Sequence, residues 1–520
     1  MAPRGIAWAR RAHVRAPIAR LSVHLPGGRV AEPLDLLAER SLTASWRRRW
    51  EERPRARVLF ADETGWLAAA ELEERTAQLA GRLAAAGAEP GDRLLLSAGT
   101  SADLVLAHVA ALRLGLVVVP VNTAYREREI AHVVRDCTPA LALVDDDARG
   151  RWIEHAAAGP VRVLGPDVAV AARGAAAPEL DATGPHDPAL IVYTSGTTGT
   201  PKGALLSHGN LLAGVQAVRL AWRWAPDDRL VCALPLFHVH GLGVGLHGTL
   251  TAGASIVVRR RFEPDDALDA IRAHGATLFF GVPTMYARLA RGTRLAELGA
   301  LRLCVSGSAP LPVALHREVA TTAGQAILER YGMSETLMNT SNPDDGERRP
   351  GTVGLPLPGV ELRLDDGGEI VLRGPNVFTG YWNRPEASAE AFAGGWFRSG
   401  DLGAHDPDGY LRIVGRAKEL IISGGYNVYP REIEEVLREH PGVFDAAVVG
   451  APHPDWGEQV VAYVEGDAPA ADLAVFAAER LAPYKRPKLI NRVDSLPRNA
   501  LGKVVKTQLG AAPSGPPEGE

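Results

Sequence analysis

A segment rich in glycine, threonine and serine carries the most specific chemistry in the sequence. It reads Tyr-Thr-Ser-Gly-Thr-Thr-Gly-Thr-Pro-Lys-Gly over residues 193–203. Its glycines let the backbone approach an anion closely, its hydroxyl groups can donate hydrogen bonds, and Lys202 adds a mobile positive charge. Together these groups are suited to hold a polyphosphate. The candidate phosphate-binding residues are Thr194, Ser195, Gly196, Thr197, Thr198, Gly199 and Lys202.

The spacing of this segment differs from the G-x-x-x-x-G-K-[ST] pattern of P-loop nucleotidases. Pro201 precedes the lysine and Gly203 follows it, so a P-loop fold is disfavoured. A strand is predicted over 189–194 and a helix from Ser207 onward. The residues between them are therefore expected to form a loop at the carboxyl end of a strand.

The elements that must position this loop alternate along the chain. Apolar, strand-like runs such as 93–97, 189–194 and 255–258 alternate with amphipathic stretches such as 102–114 and 210–224. This alternation predicts βαβ units, which build mostly parallel sheets covered by helices. Ligands bind at the carboxyl ends of the strands in such sheets. The predicted fold class is therefore α/β.

Composition and pattern divide the chain into four predicted parts. Residues 1–32 form a basic extension expected to be disordered, and residues 33–415 form a large domain. Within the large domain, short strands with Gly, Pro and Asp turns after Thr352 predict a small β-rich subdomain. Residues 416–510 are predicted to form a small α+β domain. Residues 511–520 are rich in Pro, Gly and Ala and are expected to be disordered.

The net charge, the longest apolar stretch and the cysteine spacing argue against several classes of protein. The 520 residues carry a formal net charge of −4, and no tract alternates basic with aromatic residues, so we expect no nucleic-acid partner. The most apolar stretch, 104–121, is interrupted by His108 and Arg113, so we expect no membrane span. The three cysteines lack C-x-x-C spacing, which argues against a disulfide framework or a zinc site.

The N-terminal region bears on the location of the protein. Residues 1–31 contain six arginines and no acidic residue, a pattern that fits a bacterial extension or a mitochondrial transit peptide. Frequent Ala, Arg and Gly are typical of a GC-rich bacterial genome, and the scattered cysteines fit a reducing compartment. We therefore expect a cytoplasmic location, with mitochondrial targeting as the alternative.

Six short strings, in the order in which they occur, resemble the signature motifs of the adenylate-forming superfamily of acyl-CoA synthetases, adenylation domains and luciferases. The resemblance covers about residues 35–507. It implies that residues 33–415 are an AMP-binding domain in which a carboxylate reacts with ATP and Mg²⁺ to give an acyl-adenylate. CoA would then displace AMP. The strings are 193–203, 235–238, 331–335, 399–401, 415–416 and 497–503.

By this resemblance, the nucleotide site has a defined set of groups. Tyr331 stacks on adenine, Asp401 binds the ribose hydroxyls and Arg416 supports the ribose, while Glu335 and Thr194 hold Mg²⁺. Each assignment makes chemical sense, because an aromatic face suits a purine and Mg²⁺ prefers oxygen ligands. The further nucleotide-binding residues implied are Ser308, Gly332 and Ser334, the last of which stands where the family usually has threonine.

The C-terminal part of the chain resembles the mobile domain of the superfamily. Lys503 corresponds to the lysine placed against the reacting carboxylate and the α-phosphate, where positive charge stabilises the transition state. Lys418 corresponds to the hinge about which the small domain turns between the two half-reactions. The implied CoA channel contains Ser423, Gly424 and Gly425. The residues implied in catalysis are Lys503, Lys202, Glu335 and His238.

Three longer strings, 237–241, 281–288 and 329–343, resemble the malonyl-CoA synthetases within this superfamily. A second carboxylate in a buried pocket needs a partner, and an arginine can bind it through two parallel hydrogen bonds. The resemblance implies that Arg288 binds this distal carboxylate. The polar or apolar neighbours implied for the substrate are His240, Ser308 and Met338.

Several substrates and acceptors stay open at this point. Malonate and methylmalonate differ by one methyl group, which is worth only about 1–3 kcal/mol in a pocket, and another small carboxylic acid would use the same ATP site. A stand-alone adenylation enzyme that loads a carrier protein would share every motif up to Lys503. The partners predicted are therefore a small carboxylate and CoA, with a carrier protein as the alternative acceptor.

Overall fold

The computed structural model of the chain describes most of the sequence. The described residues are 24, 35–167, 178–194, 201–423, 426–454, 456–499 and 502–511. The predicted extension over 1–32, apart from His24, lies outside them, as do all but the first residue of the predicted tail. The predicted site residues Ser195–Gly199 and Gly424–Gly425 also lie outside. None of the helices within the described ranges is both long and apolar enough to cross a membrane.

Thirteen α-helices occur in the described ranges, with one wider helix whose turns are closed by i→i+5 hydrogen bonds at His240–His247. The α-helices are α1 (Leu42–Glu52), α2 (Ala69–Ala85), α3 (Ala102–Arg113), α4 (Glu127–Cys137), α5 (Asp147–Ala156), α6 (His208–Ala221), α7 (Gly248–Ala252), α8 (Pro264–His274), α9 (Pro283–Ala290), α10 (Val313–Ala323), α11 (Pro385–Ala391), α12 (Pro430–Arg438) and α13 (Ala470–Arg480).

The strands of the large domain are β1 (Arg57–Ala61), β2 (Gly65–Ala68), β3 (Arg93–Ser97), β4 (Val117–Pro120), β5 (Leu141–Val144), β6 (Arg162–Leu164), β7 (Pro188–Thr194), β8 (Lys202–Ser207), β9 (Arg229–Cys232), β10 (Ser255–Val258), β11 (Leu278–Gly281), β12 (Leu303–Ser306), β13 (Leu328–Tyr331), β14 (Thr340–Ser341), β15 (Leu355–Pro356), β16 (Glu361–Leu364), β17 (Glu369–Arg373), β18 (Gly380–Tyr381), β19 (Phe392–Ala393), β20 (Trp396–His405) and β21 (Leu411–Arg416). Those of the C-terminal domain are β22 (Ile421–Ser423), β23 (Tyr426–Val428), β24 (Val443–His453), β25 (Gly457–Gly466) and β26 (Leu489–Val493).

Two large sheets form the body of the molecule. One has nine strands in the order β15-β14-β13-β12-β11-β9-β10-β1-β2, and the other has seven in the order β18-β8-β7-β4-β3-β5-β6. The central strands of both run parallel, with antiparallel strands only at the edges. The predicted α/β class is confirmed. Parallel strands bring their carboxyl ends to one edge of each sheet, where ligands bind.

Helices that are apolar on every side separate the two sheets. In α3 every residue except Asp103 is buried, and the helix packs against β1 of one sheet and β4 of the other. A helix without a polar face belongs in an interior of this kind. Ser101 caps its N-terminus by accepting a hydrogen bond from the Leu104 amide.

Two smaller units, built mostly from antiparallel strands, complete the fold. Strands β16, β17, β20, β19 and β21 form a five-stranded sheet, which is the β-rich subdomain predicted after Thr352. Strands β23, β22, β25, β24 and β26 form a second sheet, on which α12 and α13 pack to make the smaller C-terminal domain. The precise boundaries at 33, 415 and 510 remain predictions.

The connection after β7 corrects one sequence prediction, that residues 195–206 form only a loop. Lys202–Ser207 instead forms β8, antiparallel to β7, with Lys202 opposite Thr194. A Cβ on Gly203 would lie 2.6 Å from Cγ2 of Ile191, so this glycine serves close packing inside the sheet. The apolar residues Ala204 and Leu206 are fully buried. The pairing fixes Lys202 at the first residue of a strand.

A buried ion pair ties the C-terminus of α3 to the segment before β7. Nη2 of Arg113 lies 3.0 Å from Oδ2 of Asp181, and the two side chains are 4% and 2% exposed. Nη1 of Arg113 also donates to the Thr76 hydroxyl at 2.8 Å. Glu73 is more distant, with Oε1 4.0 Å from Nη2 of Arg113, and it is 38% exposed, so loss of Asp181 would remove the near, buried counter-charge.

We predict that Asp181→Asn lowers the free energy of unfolding by about 3 kcal/mol, because the change removes the counter-charge but keeps the size of the side chain. Asp227→Asn is the matched control, since Asp227 is 93% exposed in its pair with Arg53, and it should cost less than about 1 kcal/mol. Denaturant unfolding measures both. Equal losses would contradict the importance of the buried pair.

Candidate active site

A cleft opens where the carboxyl ends of the two large sheets meet. Its volume is about 590 Å³, within the usual range for a small-molecule site. Loops after β3, β4, β9, β10 and β11 contribute the walls, and a loop of the C-terminal domain contributes the rest. The lining residues are Ala98, Gly99, Thr100, Asn122, Thr123, Ala233, Pro235, Leu236, Phe237, Arg260, Arg261, Phe262, Val282, Thr284, Met285, Arg288, Arg498, Asn499 and Gly502.

Tyr331, Asp401 and Arg416, three of the residues predicted for the nucleotide site, form one connected group, and their roles toward a nucleotide remain predictions. The Tyr331 hydroxyl donates to Oδ2 of Asp401 at 2.6 Å, and Nε of Arg416 lies 3.1 Å from Oδ1. Asp401 and Arg416 face each other across β20 and β21. Burial, and then the neighbouring Asp401 carboxylate, raise the pKa of Tyr331 well above its ordinary value. The phenol therefore stays a donor, which orients the carboxylate.

Glu335 is the carboxylate that fits a magnesium ion. It is buried, and burial raises its pKa above the ordinary value. The Tyr381 hydroxyl donates to its Oε1 at 3.1 Å. Mg²⁺ is commonly held by one or two carboxylates together with the phosphates of a nucleotide. Within the described ranges no cluster of three His, Cys, Asp or Glu side chains could hold a metal. The binding of Mg²⁺ by Glu335 and Thr194 remains a prediction.

Lys202 and Tyr381 are neighbours because β8 pairs with β18. Nζ of Lys202 lies 5.4 Å from the centre of the Tyr381 ring, and Tyr381 lies opposite Ala204 in the pairing. Tyr381 therefore contacts both groups, because its ring lies beside the Lys202 ammonium and its hydroxyl donates to Glu335. Sequence reasoning did not identify Tyr381, which lies outside the family strings. The only sequence feature that could have drawn attention to Tyr381 is the Gly-Tyr-Trp run in which it lies, ahead of a polar turn.

Lys503 is delivered to the large domain by a tight turn. The Gly502 amide donates to the Asn499 carbonyl at 2.8 Å, and Gly502 has a φ of 74°, which glycine adopts without strain. A Cβ on Gly502 would lie 2.6 Å from Oγ1 of Thr284. The C-terminal turn therefore contacts the first turn of α9, where only glycine fits.

The surroundings of Lys503 are cationic as well as anionic. Burial, followed by repulsion from Arg416, lowers the pKa of Lys503 below its ordinary value, while Asp401 and Glu419 act in the opposite direction. Lys503 thus lies beside the Asp401–Arg416 group. The fold thus brings together residues that are widely separated in the sequence, and the catalytic role of Lys503 remains a prediction.

His240, Ser308 and His238 lie together behind the cleft. Nδ1 of His240 lies 3.2 Å from the Ser308 hydroxyl, and Ser308 has the left-handed φ of 70°. Burial first, then repulsion from Arg330, lowers the pKa of His238 to about 4 and that of His240 well below its ordinary value. Both imidazoles are therefore neutral at physiological pH.

Arg288 lies on the wall of the cleft, on the last turn of α9. Its guanidinium pairs with Glu263 at 2.7 Å, and its side chain is 45% exposed. It also lies 5.1 Å from the centre of the Phe262 ring. The sequence did not reveal this pairing, because Glu263 is distant in the chain. Binding of a distal carboxylate by Arg288 remains a prediction.

Met338 and Gly332 pack against each other beside the nucleotide group. Met338 is fully buried, and a Cβ on Gly332 would lie 2.1 Å from the Leu337 carbonyl oxygen and 2.9 Å from Sδ of Met338. The glycine is therefore required by close backbone packing. Met338 and the half-buried Ser334 lie outside the cleft lining described above.

The predicted hinge and channel residues lie at the start of the C-terminal domain. Lys418 is exposed in the single turn Ala417–Glu419 that joins β21 to β22. Ser423 ends β22, is buried, and pairs with Tyr426 across the hairpin. Their roles in a domain rotation and in a CoA channel remain predictions.

Comparison with known proteins identifies the family. The AMP-binding enzyme model matches residues 46–382, and the AMP-binding enzyme C-terminal domain model matches residues 432–503. The ATP-bound MatB from Rhodopseudomonas palustris is 40% identical, with a TM-score of 0.85 over 90% of this chain and 98% of that one. A malonyl-CoA ligase complex with methylmalonyl-CoA and AMP is 44% identical, with a TM-score of 0.63 over 85% and 97%.

Curated relatives of similar identity act on different acids. A feruloyl-CoA synthase from Amycolatopsis is 37% identical over 85% of this chain and 92% of its own. A sulfoacetate–CoA ligase from Cupriavidus necator is 38% identical over 92% and 98%, and a malonate–CoA ligase from Arabidopsis thaliana is 36% identical over 81% and 78%. The two family models match parts of both domains. The chain therefore belongs to the AMP-binding enzyme family, as an AMP-forming acid–CoA ligase that uses ATP, Mg²⁺ and CoA.

Proposed function

We propose that this acid–CoA ligase activates malonate, forming malonyl-adenylate and then malonyl-CoA. The observation that carries the proposal is the charge of the cleft. Its described lining contains four arginines and no carboxylate, the arginines being Arg260, Arg261, Arg288 and Arg498. An acid that keeps a second negative charge after activation is the substrate that such a cleft would attract.

The pairing of these arginines leaves part of the cleft positive. Arg261 and Arg288 share one carboxylate, Glu263, and Arg260 forms no ion pair with any described residue. Arg498 is compensated within the C-terminal domain, where it pairs with Asp445 and Glu465. A substrate with a distal carboxylate would add negative charge beside Arg260, Arg261 and Arg288, whereas an aromatic or fatty acid would not.

The chemistry of the two half-reactions follows from the site. In the first, a carboxylate oxygen of the acid attacks the α-phosphorus of ATP, and the bond to pyrophosphate breaks. Lys503 and Lys202 place positive charge where the reacting anions meet. In the second, the CoA sulfur attacks the acyl carbon, AMP leaves, and the thiol proton is released. Mg²⁺ held at Glu335 would neutralise phosphate charge in the first step.

Sulfoacetate is a second candidate substrate. The relative that acts on it is 38% identical over 92% of this chain, and its sulfonate carries the same distal charge as a carboxylate. Methylmalonate differs from malonate by one methyl group and meets the same charge requirement. A separate carrier protein would receive the same adenylate as CoA does.

The substrate prediction is tested by CoA-dependent AMP formation with a panel of acids. We expect kcat/KM for malonate to exceed that for butyrate, ferulate and indoleacetate by about 100-fold, because only malonate supplies a second charge to the cleft. Sulfoacetate and methylmalonate, which carry the same distal charge, are the most informative of the other acids in the panel. A preference for ferulate or butyrate would overturn the proposed substrate class but not the ligase reaction. Faster transfer to a carrier protein than to CoA would change only the acceptor.

The catalytic role of Lys503 is tested by separating the half-reactions. We expect Lys503→Ala to slow adenylate formation by about 10²–10³-fold, because a charge at the reacting anions is lost, and to leave thiolysis of supplied malonyl-adenylate nearly unchanged. Lys485→Ala is the matched control, since Lys485 pairs with Glu432 within the C-terminal domain. Equal loss of both half-reactions in Lys503→Ala would contradict the assignment.

The lowered pKa of Lys503 predicts a pH dependence. The protonated ammonium is the active form, so adenylation should fall as pH rises through a pKa below the ordinary lysine value of about 10.4. Lys503→Arg should move this fall to higher pH, because a guanidinium stays protonated. The initial rate of pyrophosphate release between neutral and alkaline pH measures the effect. An identical profile for both proteins would assign the titration to another group.

A further inference from the structure

Helix α4 (Glu127–Cys137) carries a polar pair that no role described above explains. His132 and Asp136 lie four residues apart, so their side chains project from the same face of the helix. The apolar side chains of α4 belong to the core of the seven-stranded sheet. The side chain of Asp136 is 7% exposed, and a carboxylate is rarely buried to this degree unless other groups pair with it. The partners of His132 and Asp136 therefore indicate what the pair does.

The two side chains bind the chain on either side of residues 195–200, which lie outside the described ranges. Nε2 of His132 donates to the Pro201 carbonyl at 2.8 Å. The Tyr193 hydroxyl donates to Oδ2 of Asp136 at 2.7 Å. Burial is the main cause that raises the pKa of Tyr193 above its ordinary value, so the phenol stays a donor. One face of α4 therefore holds both the end of β7 and the residue directly before β8.

The residues next to these two contacts are the ones predicted to bind the triphosphate. Thr194 follows Tyr193, and Lys202 follows Pro201. Thr194 and Lys202 lie opposite each other in the pairing of β7 with β8, and the Thr194 hydroxyl donates to the Lys202 carbonyl at 3.4 Å. Because the neighbouring residue is fixed on each strand, α4 sets the position from which both side chains leave the sheet.

Asp136 extends the same network to the segment after β18. Its Oδ1 pairs with Nη2 of Arg384 at 2.7 Å, and its backbone carbonyl accepts from Nε1 of Trp382 at 3.1 Å. The Trp382 amide in turn donates to the Gly203 carbonyl of β8 at 2.7 Å. Hydrogen bonds to an ionised carboxylate are stronger than neutral ones. Asp136 thus joins β7, through Tyr193, to the segment that pairs with β8.

We propose that His132 and Asp136 are positioning residues for adenylate formation, which hold Thr194 and Lys202 at the phosphates of ATP. Neither side chain belongs to the described lining of the cleft, so both act through the paired ends of β7 and β8. A small displacement of a catalytic charge is costly to the rate. The inference rests on the proposed role of Lys202 toward ATP, and it does not depend on which acid is activated.

A role limited to folding makes a different prediction. Loss of a hydrogen bond lowers the free energy of unfolding wherever the bond lies, and a less stable enzyme loses both half-reactions alike. A displaced Lys202 slows only the half-reaction in which the triphosphate is bound. The ratio of adenylate formation to thiolysis therefore distinguishes a positioning role from a purely structural one.

The test measures exchange of labelled pyrophosphate into ATP in the full-length enzyme, with the acid that the substrate panel shows to be best. For His132→Leu and Tyr193→Phe, each of which removes one contact with α4, we expect kcat/KM for ATP to fall by about five- to tenfold. His132→Gln should recover part of the loss, because its amide can donate to the Pro201 carbonyl. Thiolysis of supplied acyl-adenylate should stay within about twofold of the wild-type rate.

Tyr410→Phe is the matched control for Tyr193→Phe. Tyr410 is buried, and its hydroxyl donates to the Glu347 carbonyl at 3.1 Å, so the change also removes one bonded hydroxyl. We expect a melting temperature close to that of Tyr193→Phe, with exchange unchanged. Equal loss of exchange in Tyr410→Phe and Tyr193→Phe, or equal loss of both half-reactions in His132→Leu, would show a structural role and overturn the inference.

Lys202→Ala separates this inference from the role proposed for Lys202. A strong loss of exchange in Lys202→Ala, beside unchanged exchange in His132→Leu and Tyr193→Phe, would keep the role of Lys202 and overturn the positioning role of α4. Unchanged exchange in Lys202→Ala would overturn both. Selective loss of exchange in all three variants, with partial recovery in His132→Gln, is the result that supports the inference.

Discussion

Positive charge buried without full compensation is the constraint on which the site depends. Lys503 has a pKa lowered by burial, which means that the folded chain holds it in an environment that disfavours its charged form. ATP brings the opposite charge, and the second anionic group of the proposed substrate would add to it. Binding of these anions would compensate the buried cation where negative charge gathers during adenylation.

The rest of the fold serves to hold Lys503 and Lys202 in fixed positions. The two large sheets bring the carboxyl ends of their strands together, and α3 fills the space between them with apolar side chains. Strand pairing fixes Lys202 opposite Thr194. Lys503 instead arrives on a turn of the smaller domain, where Gly502 contacts Thr284. Rigid elements thus position one lysine, and a contact between two domains positions the other.

The different positioning of Lys202 and Lys503 suits a reaction in two steps. Arg431 of the C-terminal domain donates to the Ile413 carbonyl of the large domain, and the Gly502 turn lines the cleft. The large domain has its own hydrophobic core, separate from that of the smaller domain. The proposed role of Lys503 requires a lysine that acts on the carboxylate and then withdraws, so that a thiol can reach the adenylate.

Much of the fold could be predicted from the sequence, because apolar periodicity is a local property. Strands at Arg93–Ser97 and Ser255–Val258 occur where the pattern placed them. Strand β8 was missed because the glycine and proline around Lys202 suggested a loop, and only pairing with β7 reveals a strand. The group of Tyr331, Asp401 and Arg416 was predicted through family motifs.

The parts of the site that escaped prediction depend on tertiary contacts. His132 and Asp136 lie outside the recognised strings, and their bonds to Pro201 and Tyr193 form only in the folded chain. Arg288 was identified, but its ion pair with Glu263 joins two loops that meet only in the folded chain. Tyr381 reaches Glu335 from a short edge strand for the same reason.

Exchange of labelled pyrophosphate into ATP without CoA would show whether the enzyme recognises a second charge on its acid. Malonate and its monoamide, malonamate, have the same number of non-hydrogen atoms, and the amide lacks the distal charge. We expect rapid exchange with malonate and exchange with malonamate slower by about 100-fold. Equal exchange with the two acids would mean that the arginines of the cleft have no part in choosing the substrate.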